Sequence, residues 1–379
     1  MSVIDNLLLV LGGVLLGCLL VQLLFYWVIF SRFAFNRLSK RDGNGCPGVS
    51  VVICVKNDCS YLEQFLPFIL TQDYPDYEVI IVNDNSNDDT EHILREMQQS
   101  HKHLHVISIA TQTQKENDNK LALAVGIRSA KNDLILMTNA NCQPRSSSWI
   151  RELAACSTDK KTIVLGYRTY NHRKGLLNIL VRFDGLYTAL QYFSFTLTAF
   201  PYMGTKSNML YSKEMFLQNN DYLLAYKMDA GENDLFISKM MNKHNTTISY
   251  SYPSQVIAAF HYQSFFDWIN RKKKHVRAMK YAKQTSKFFL HLYWYTGLLF
   301  YILLVVTLLL SANVVWGIGF LLGVYFIRLF SQWLIFAKAC NKLNEKQLIK
   351  YIPLMDIFFM FLIPLINVLT SFQKQSKWK

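Results

Sequence analysis

The chain has 379 residues, 51% of them apolar and only 17% charged, below the roughly 25% charged content of an average soluble protein. The apolar excess collects at the two ends, which excludes a simple soluble globule and a disordered chain. Forty Lys and Arg against 26 Asp and Glu give a formal charge of +14, a balance suited to an anionic membrane face, phosphorylated substrates or nucleic acid.

Residues 6 to 31 carry no charge. At roughly 1.5 Å per residue such a stretch crosses a hydrocarbon core of about 30 Å. The apolar run is longer than that of a secretory signal and ends in Ser31-Arg32-Phe33-Ala34, which reads as an uncleaved anchor. Arg32, Arg37, Lys40 and Arg41 follow it, whereas Asp5 is the charged side chain before it. The positive-inside rule then places the middle of the chain in the cytoplasm.

From residue 48 to 262 short apolar runs alternate with amphipathic stretches. Val49–Val55 reads as a buried strand, Tyr61–Leu66 as the start of a helix, and Glu78–Val82 as a second strand. The polar burst Asn83–Thr90 follows, in which Ser86 and Asp89 have the spacing of a capping box. Leu104–Ile109 is a third strand, Lys120–Ala130 a helix, and Asp133–Thr138 a fourth strand. This order predicts a mostly parallel α/β sheet, in which ligands bind at the carboxyl ends of the strands. Clustered Asp and Asn at strand ends suit ribose or base recognition, or oxygen ligation of Mg²⁺ or Mn²⁺ beside phosphates. The same residues also serve helix caps and turns.

Tyr167–Lys174 reads as a polar, aromatic loop, either solvated or in contact with an acceptor. His101, His103 and His105 alternate as if on one strand face, without a carboxylate or thiol partner in sequence, and read as a solvated edge. Trp149 and Tyr192 read as packing residues. Seven scattered cysteines with no CxxC pair argue for reduced thiols rather than a disulfide framework or zinc site. No GxxxxGK[ST] occurs, and the GxGxxG at Gly43–Gly48 precedes the first predicted strand instead of following one, which leaves kinases and dinucleotide enzymes unsupported.

Phe265–Ile269 followed by Arg271–His275 and Arg277 is an aromatic-then-basic stretch. It reads as an interfacial helix, with its aromatic side among headgroups and its basic side on anionic lipid or pyrophosphate, or as a positive-inside flank. Nucleic-acid binding is disfavoured by the adjoining apolar segments. Residues 288–337 hold Arg328 as their single charge and divide near Ser311-Ala312-Asn313 into two membrane helices, about 290–310 and 314–336. A further apolar segment, 352–371, contains Pro353 and Pro364 and either spans or kinks into the interface. Lys338, Lys342, Lys346 and Lys350 fall inside as expected, whereas a full last span leaves Lys374, Lys377 and Lys379 outside. With no charged pair expected within these segments, a channel or transporter is disfavoured.

Six segments together resemble glycosyltransferase family 2, the inverting nucleotide-sugar transferases of GT-A fold, in its integral-membrane bacterial branch. VSVVICVKND (49–58) resembles the first strand, whose end at Val55 contacts the nucleotide. EVIIVNDNSNDDT (78–90) resembles VDDxSxDxT, and residues 119–144 resemble the K-x-x-A, G-I and D-A-D-C-x-P run. MGTKSNMLYSKEMF (203–216) resembles the acceptor-side G-x-x-x-N-x-x-Y, with Gly204 and Asn208. GENDLF (231–236) resembles G-[DE]-D-x-x-L, and NRKKKH (270–275) the Q-K-x-R-H form of Q-x-x-R-W.

The resemblance implies a GT-A-like Rossmann-type, mostly parallel sheet between N- and C-terminal transmembrane helices. It divides the chain into an anchor with basic flank (1–47), a cytoplasmic catalytic domain (48–262), a basic interfacial helix (263–287) and a membrane region of two or three helices (288–379). It implies a multi-pass protein of the cell inner membrane that moves a sugar from a nucleotide diphosphate sugar to a lipid-linked or glycan acceptor. Val55, Asp84, Lys120, Asn139 and Asn141 would bind the donor. Glu232, Asn233 and Asp234 occupy the catalytic region, and Gly204, Asn208, Arg271, Lys274 and His275 the diphosphate and acceptor side. The family's metal-bridging D-x-D is Asn139-Ala140-Asn141 here, the first Asp of VDD is Asn83, and the usual base position is Asn233. Asn offers a hard cation no charge and takes no proton at neutral pH. Two readings follow. Mg²⁺ or Mn²⁺ is held weakly at Asn139 and Asn141 or dispensed with, Lys and Arg neutralise the diphosphate, and Glu232 or Asp234 is the base. Alternatively, the fold persists as a catalytically inactive membrane partner in a glycan-assembly complex.

Overall fold

A computed structural model describes residues 3–37, 45–109, 120–218, 235–279, 282–311 and 315–372. The centre is a seven-stranded sheet of order β3-β2-β1-β4-β8-β6-β9. Its strands are β1 Val49–Val55, β2 Tyr77–Asp84, β3 Leu104–Ile109, β4 Leu134–Met137, β6 Ile163–Leu165, β8 Met209–Ser212 and β9 Thr246–Ile248. β1 pairs in parallel with β2 and β4, and β2 with β3, whereas β8 runs antiparallel to β4 and β6. β1 and β2 are rich in Val and Ile and buried along nearly their whole length, as strands of a covered parallel sheet are. The helix Lys120–Ser129 approaches so closely that a Cβ on Gly126 would lie 2.7 Å from Val52 Cγ1.

A second, three-stranded sheet joins β5 Cys142–Pro144, β10 Val256–Ala258 and β7 Arg168–Tyr170 in the order β5-β10-β7. Thus the expected loop 167–174 is in part a strand. Its register to β10 is set across the fold, not by local alternation. The mostly parallel sheet and the first four strands follow the sequence reading, with ends shifted by at most two residues.

Four helices are long and apolar enough to cross a membrane: Asn6–Ala34, Gln284–Leu310, Gly317–Lys342 and Lys346–Ser371. The last is helical through Pro364. One expectation is overturned here. Asp356, in that last helix, pairs with Arg328 at 2.6 Å, with both side chains fully buried. Tyr301 donates to Asp356, and Arg328 Nη2 donates to Gln22 Oε1 at 3.2 Å, so one polar knot ties all four helices. A charge in an apolar bundle survives by finding its counter-charge there.

The domain is fastened to this bundle. The long helix Leu176–Leu197 is buried along most of its length, and its Tyr187 hydroxyl bonds that of Tyr293 at 2.5 Å. The connection between the third and fourth apolar helices inserts Glu345, 1% exposed, into the domain. There it accepts from Arg182 and from Thr169 of β7. Lys342 caps the carbonyls of Phe33 and Asn36 at the end of the first helix.

Candidate active site

The carboxyl ends of β1, β2 and β4 share one edge of the sheet. Val55 ends β1, Asp84 ends β2, and Asn139 and Asn141 follow β4. Val55 and Asp84 are buried, and the two asparagines are half-buried. The loops beyond β1 and β2 are laced together. Asn57 and Asn85 adopt left-handed backbone, with φ of 57° and 50°. Asn87 N donates to Asn57 Oδ1 at 2.8 Å, Asn57 N to Ser86 Oγ at 3.0 Å, and Cys59 N to Asp88 Oδ2 at 3.1 Å. Much of the 83–90 cluster is therefore turn chemistry. The capping-box expectation fails. Ser86 turns back to Asn83 Oδ1 at 2.6 Å, and Asp88 receives Thr90 N at 3.2 Å.

The segment before β8 closes this edge from the other side. Asn139 Nδ2 donates to Ser207 Oγ at 2.8 Å, and Thr138 Oγ1 to the Ser207 carbonyl at 3.0 Å. Asn208 is fully buried. Its Oδ1 accepts from Trp149 Nε1 at 3.0 Å, and its Nδ2 donates to the carbonyls of Tyr167 and Ser254, each at 2.8 Å. It is a tie between the two sheets. Gly204 is buried, and a Cβ there would lie 2.7 Å from Leu165 Cδ2. Trp149 and Tyr192 are buried packing residues as expected. Sequence reasoning passed over Lys206 and Ser207, which lie inside the quoted MGTKSNM segment. The signal was their position between Gly204 and Asn208.

Burial foremost pushes the Cys54 thiol up to about 12, with Lys206 opposing and Asp84 adding to the rise. Burial also raises Asp58, although it accepts from Lys56 N at 3.1 Å. The donor set at Asn139 and Asn141 does not fit a hard cation. One amide is engaged with Ser207, the other carbonyl lies 3.5 Å from Cys142 Sγ, and neither brings charge. Among the described residues no three His, Cys, Asp or Glu gather as a metal site. Lys120 begins its helix. Glu232, Asn233 and Asp234, and the side chain of Lys120, lie outside what is described.

The basic stretch forms the helix Phe265–Ala278, capped by Ser264 Oγ, which accepts from Asp267 N at 3.1 Å. Its aromatic side does not lie wholly free. Trp268 is buried, donates to Asp184 Oδ2 at 3.1 Å and packs near Phe359, while Phe266 is exposed. Lys272 pairs with Asp184. Arg271 is exposed, 3.7 Å from Asp267 and over the Tyr262 ring, and Lys274 is exposed. His275 lines a cavity between this helix, Leu176–Leu197 and the apolar helices, with Thr188, Gln191, Lys287, Trp294 and Asn367. Arg271, Lys274 and His275 thus share this one helix. His105 meets a carboxylate after all, with Glu78 Oε2 at 3.6 Å, and His101 and His103 lie outside β3.

Residues 50–217 match the family model described as glycosyl transferase family 2. That segment is similar to glycosyltransferase family 2. Over 85 residues the chain is 31% identical to a poly-beta-1,6-N-acetyl-D-glucosamine synthase of Staphylococcus epidermidis, covering 20% of this chain and 21% of that protein. Over 57 residues it is 37% identical to an uncharacterized glycosyltransferase of Haemophilus influenzae, covering 15% and 18%. The chain thus matches about a fifth of the length of these curated relatives. The fold is that of a mannosyltransferase from Pyrobaculum calidifontis solved with GDP-Man and Mn²⁺, with a TM-score of 0.57 and 15% identity over 97% of this chain and 99% of that one. The family-model match and this fold agree with the α/β reading of the sequence.

Proposed function

We propose that the protein is a membrane-bound inverting glycosyltransferase that moves a sugar from a nucleotide diphosphate sugar to a hydroxyl of a lipid-linked or glycan acceptor. The observation that carries this is the family 2 segment, folded so that Val55, Asp84, Asn139 and Asn141 meet at one carboxyl edge. The acceptor oxygen bonds to the anomeric carbon on the face opposite the diphosphate. The carbon–oxygen bond to the diphosphate breaks, and its electron pair leaves with that group. The acceptor proton passes to a carboxylate, assigned to Glu232 or Asp234, because Asn233 cannot take it. Lys120 assists at the donor. The cavity lined by Thr188, Gln191 and His275, beside Arg271 and Lys274, takes the acceptor side. Four apolar helices and the basic flanks support a multi-pass inner-membrane protein, with residues 48–262 as the cytoplasmic catalytic domain, 1–47 its anchor, 263–287 an interfacial helix and 288–379 the membrane region.

A second reading, a catalytically inactive partner in a glycan-assembly complex, is favoured by the amides at 139, 141 and 233. Purified full-length protein with nucleotide sugars and lipid-linked acceptors, with and without Mn²⁺, separates the two. Turnover that is lost in Glu232→Gln or Asp234→Asn supports the enzyme and locates its base. Donor binding that never leads to turnover establishes the partner.

A further inference from the structure

We propose that Lys206 supplies the positive charge that balances the donor's diphosphate at this site, so that the donor binds without a divalent cation. This rests on the donor reading above. Lys206 opens the single helical turn Lys206–Asn208 immediately before β8. That turn is clamped at its next residue. Ser207 receives Asn139 Nδ2 through its hydroxyl and Thr138 Oγ1 through its carbonyl. Asn208 is locked by three further hydrogen bonds. The Lys206 backbone is therefore held beside Asn139 by the two residues that follow it.

The Lys206 ammonium and the Asp84 carboxylate both act on the Cys54 thiol, one residue before the end of β1, which agrees with that placement. Lys206 is half-buried, and among the described residues no carboxylate pairs with it. A partly desolvated cation that makes no ion pair among the described residues is suited to an anionic ligand. Asn139 and Asn141 supply neutral carbonyls where a bridging cation would need carboxylates. A lysine stem brings a point charge to phosphate oxygens without that requirement.

The test measures binding of UDP, GDP, dTDP, CDP and ADP to the full-length protein in detergent, by calorimetry, in EDTA and then in Mn²⁺. Lys206→Met, Lys206→Arg and the wild type are compared, and their melting curves establish that each is folded. The expectation is that at least one nucleotide binds equally in EDTA and Mn²⁺. Lys206→Met should weaken it about tenfold or more, and Lys206→Arg should retain most of the affinity, because the lost charge is the variable. Binding that vanishes in EDTA and returns with Mn²⁺ overturns the inference but leaves the donor reading intact. So does a Lys206→Met variant that binds like the wild type. If no nucleoside diphosphate binds under either condition, the donor reading itself falls, and the inference falls with it.

Discussion

Asn208 shows how a residue can hold a site without lining it. Its amide has three partners in full burial, joining Trp149 to two backbone carbonyls that belong to the approach to β7 and β10. Asn208→Ala leaves those groups unpaired, and each orphaned buried partner costs about 1–3 kcal/mol. Thermal unfolding should begin several degrees lower, and an unchanged melting curve would contradict the tie. The family resemblance named this residue for the diphosphate and acceptor side, and the structure shows its amide buried with three partners. Sequence cannot tell a buried amide from an exposed one when both stand in a loop. Lys206 was passed over for the opposite reason. A single lysine between Thr205 and Ser207 has no period or partner in sequence, and its place emerges once Ser207 is seen bonded to Asn139. Asp356 was overlooked because one carboxylate in an apolar run changes its hydropathy little, although it decides how Arg328 is held.

At the level of elements, legibility followed the source of each element's stability. β1 and β2 are buried on both faces and announce themselves as short runs rich in Val and Ile. β7 has three residues, Arg-Thr-Tyr, and exists because β10 pairs with it and Glu345 accepts from Thr169. No local pattern encodes a strand whose partner lies about a quarter of the chain away. The Glu345 insertion has a consequence for measurement. Glu345→Gln leaves Arg182 buried without its counter-charge, which typically costs about 3–5 kcal/mol. The β5-β10-β7 sheet should loosen with it, read as faster amide hydrogen exchange across 142–144, 168–170 and 256–258. Replacing both partners with methionine should recover most of the stability, since the pair's burial cost disappears along with its attraction. Protection unchanged in Glu345→Gln would show that the contact does not support that sheet.

For the molecule as a whole, the polar knot and the inserted loop make separate predictions. Arg328→Met strands Asp356 inside the bundle, and a loss of about 3–5 kcal/mol is expected, measured as a lower melting temperature in detergent. Arg328→Met with Asp356→Asn should melt nearer the wild type. Topology follows from packing as well as from charge. The end of the first helix, Lys342 and Glu345 all meet the domain, so Asn6 lies at the far end of the bundle. In a background lacking Cys46, Cys54 and Cys59, cysteines placed at Glu63 and Lys346 should react with an impermeant reagent from one side of the membrane. A cysteine at Asn6 should react from the other. Labelling of Asn6 and Lys346 from the same side would refute the arrangement.

The seating of Glu345 in the domain also bears on reach. A body pinned through the Glu345 loop, its long buried helix and the end of the first apolar helix cannot rock on a tether, so with the bundle in a bilayer the sheet edge would stand at one fixed height over the lipid. The protein then acts as a ruler. On the proposed function, acceptor hydroxyls presented at that height would be within range, and those held deeper or carried farther out would be missed, whatever their chemistry.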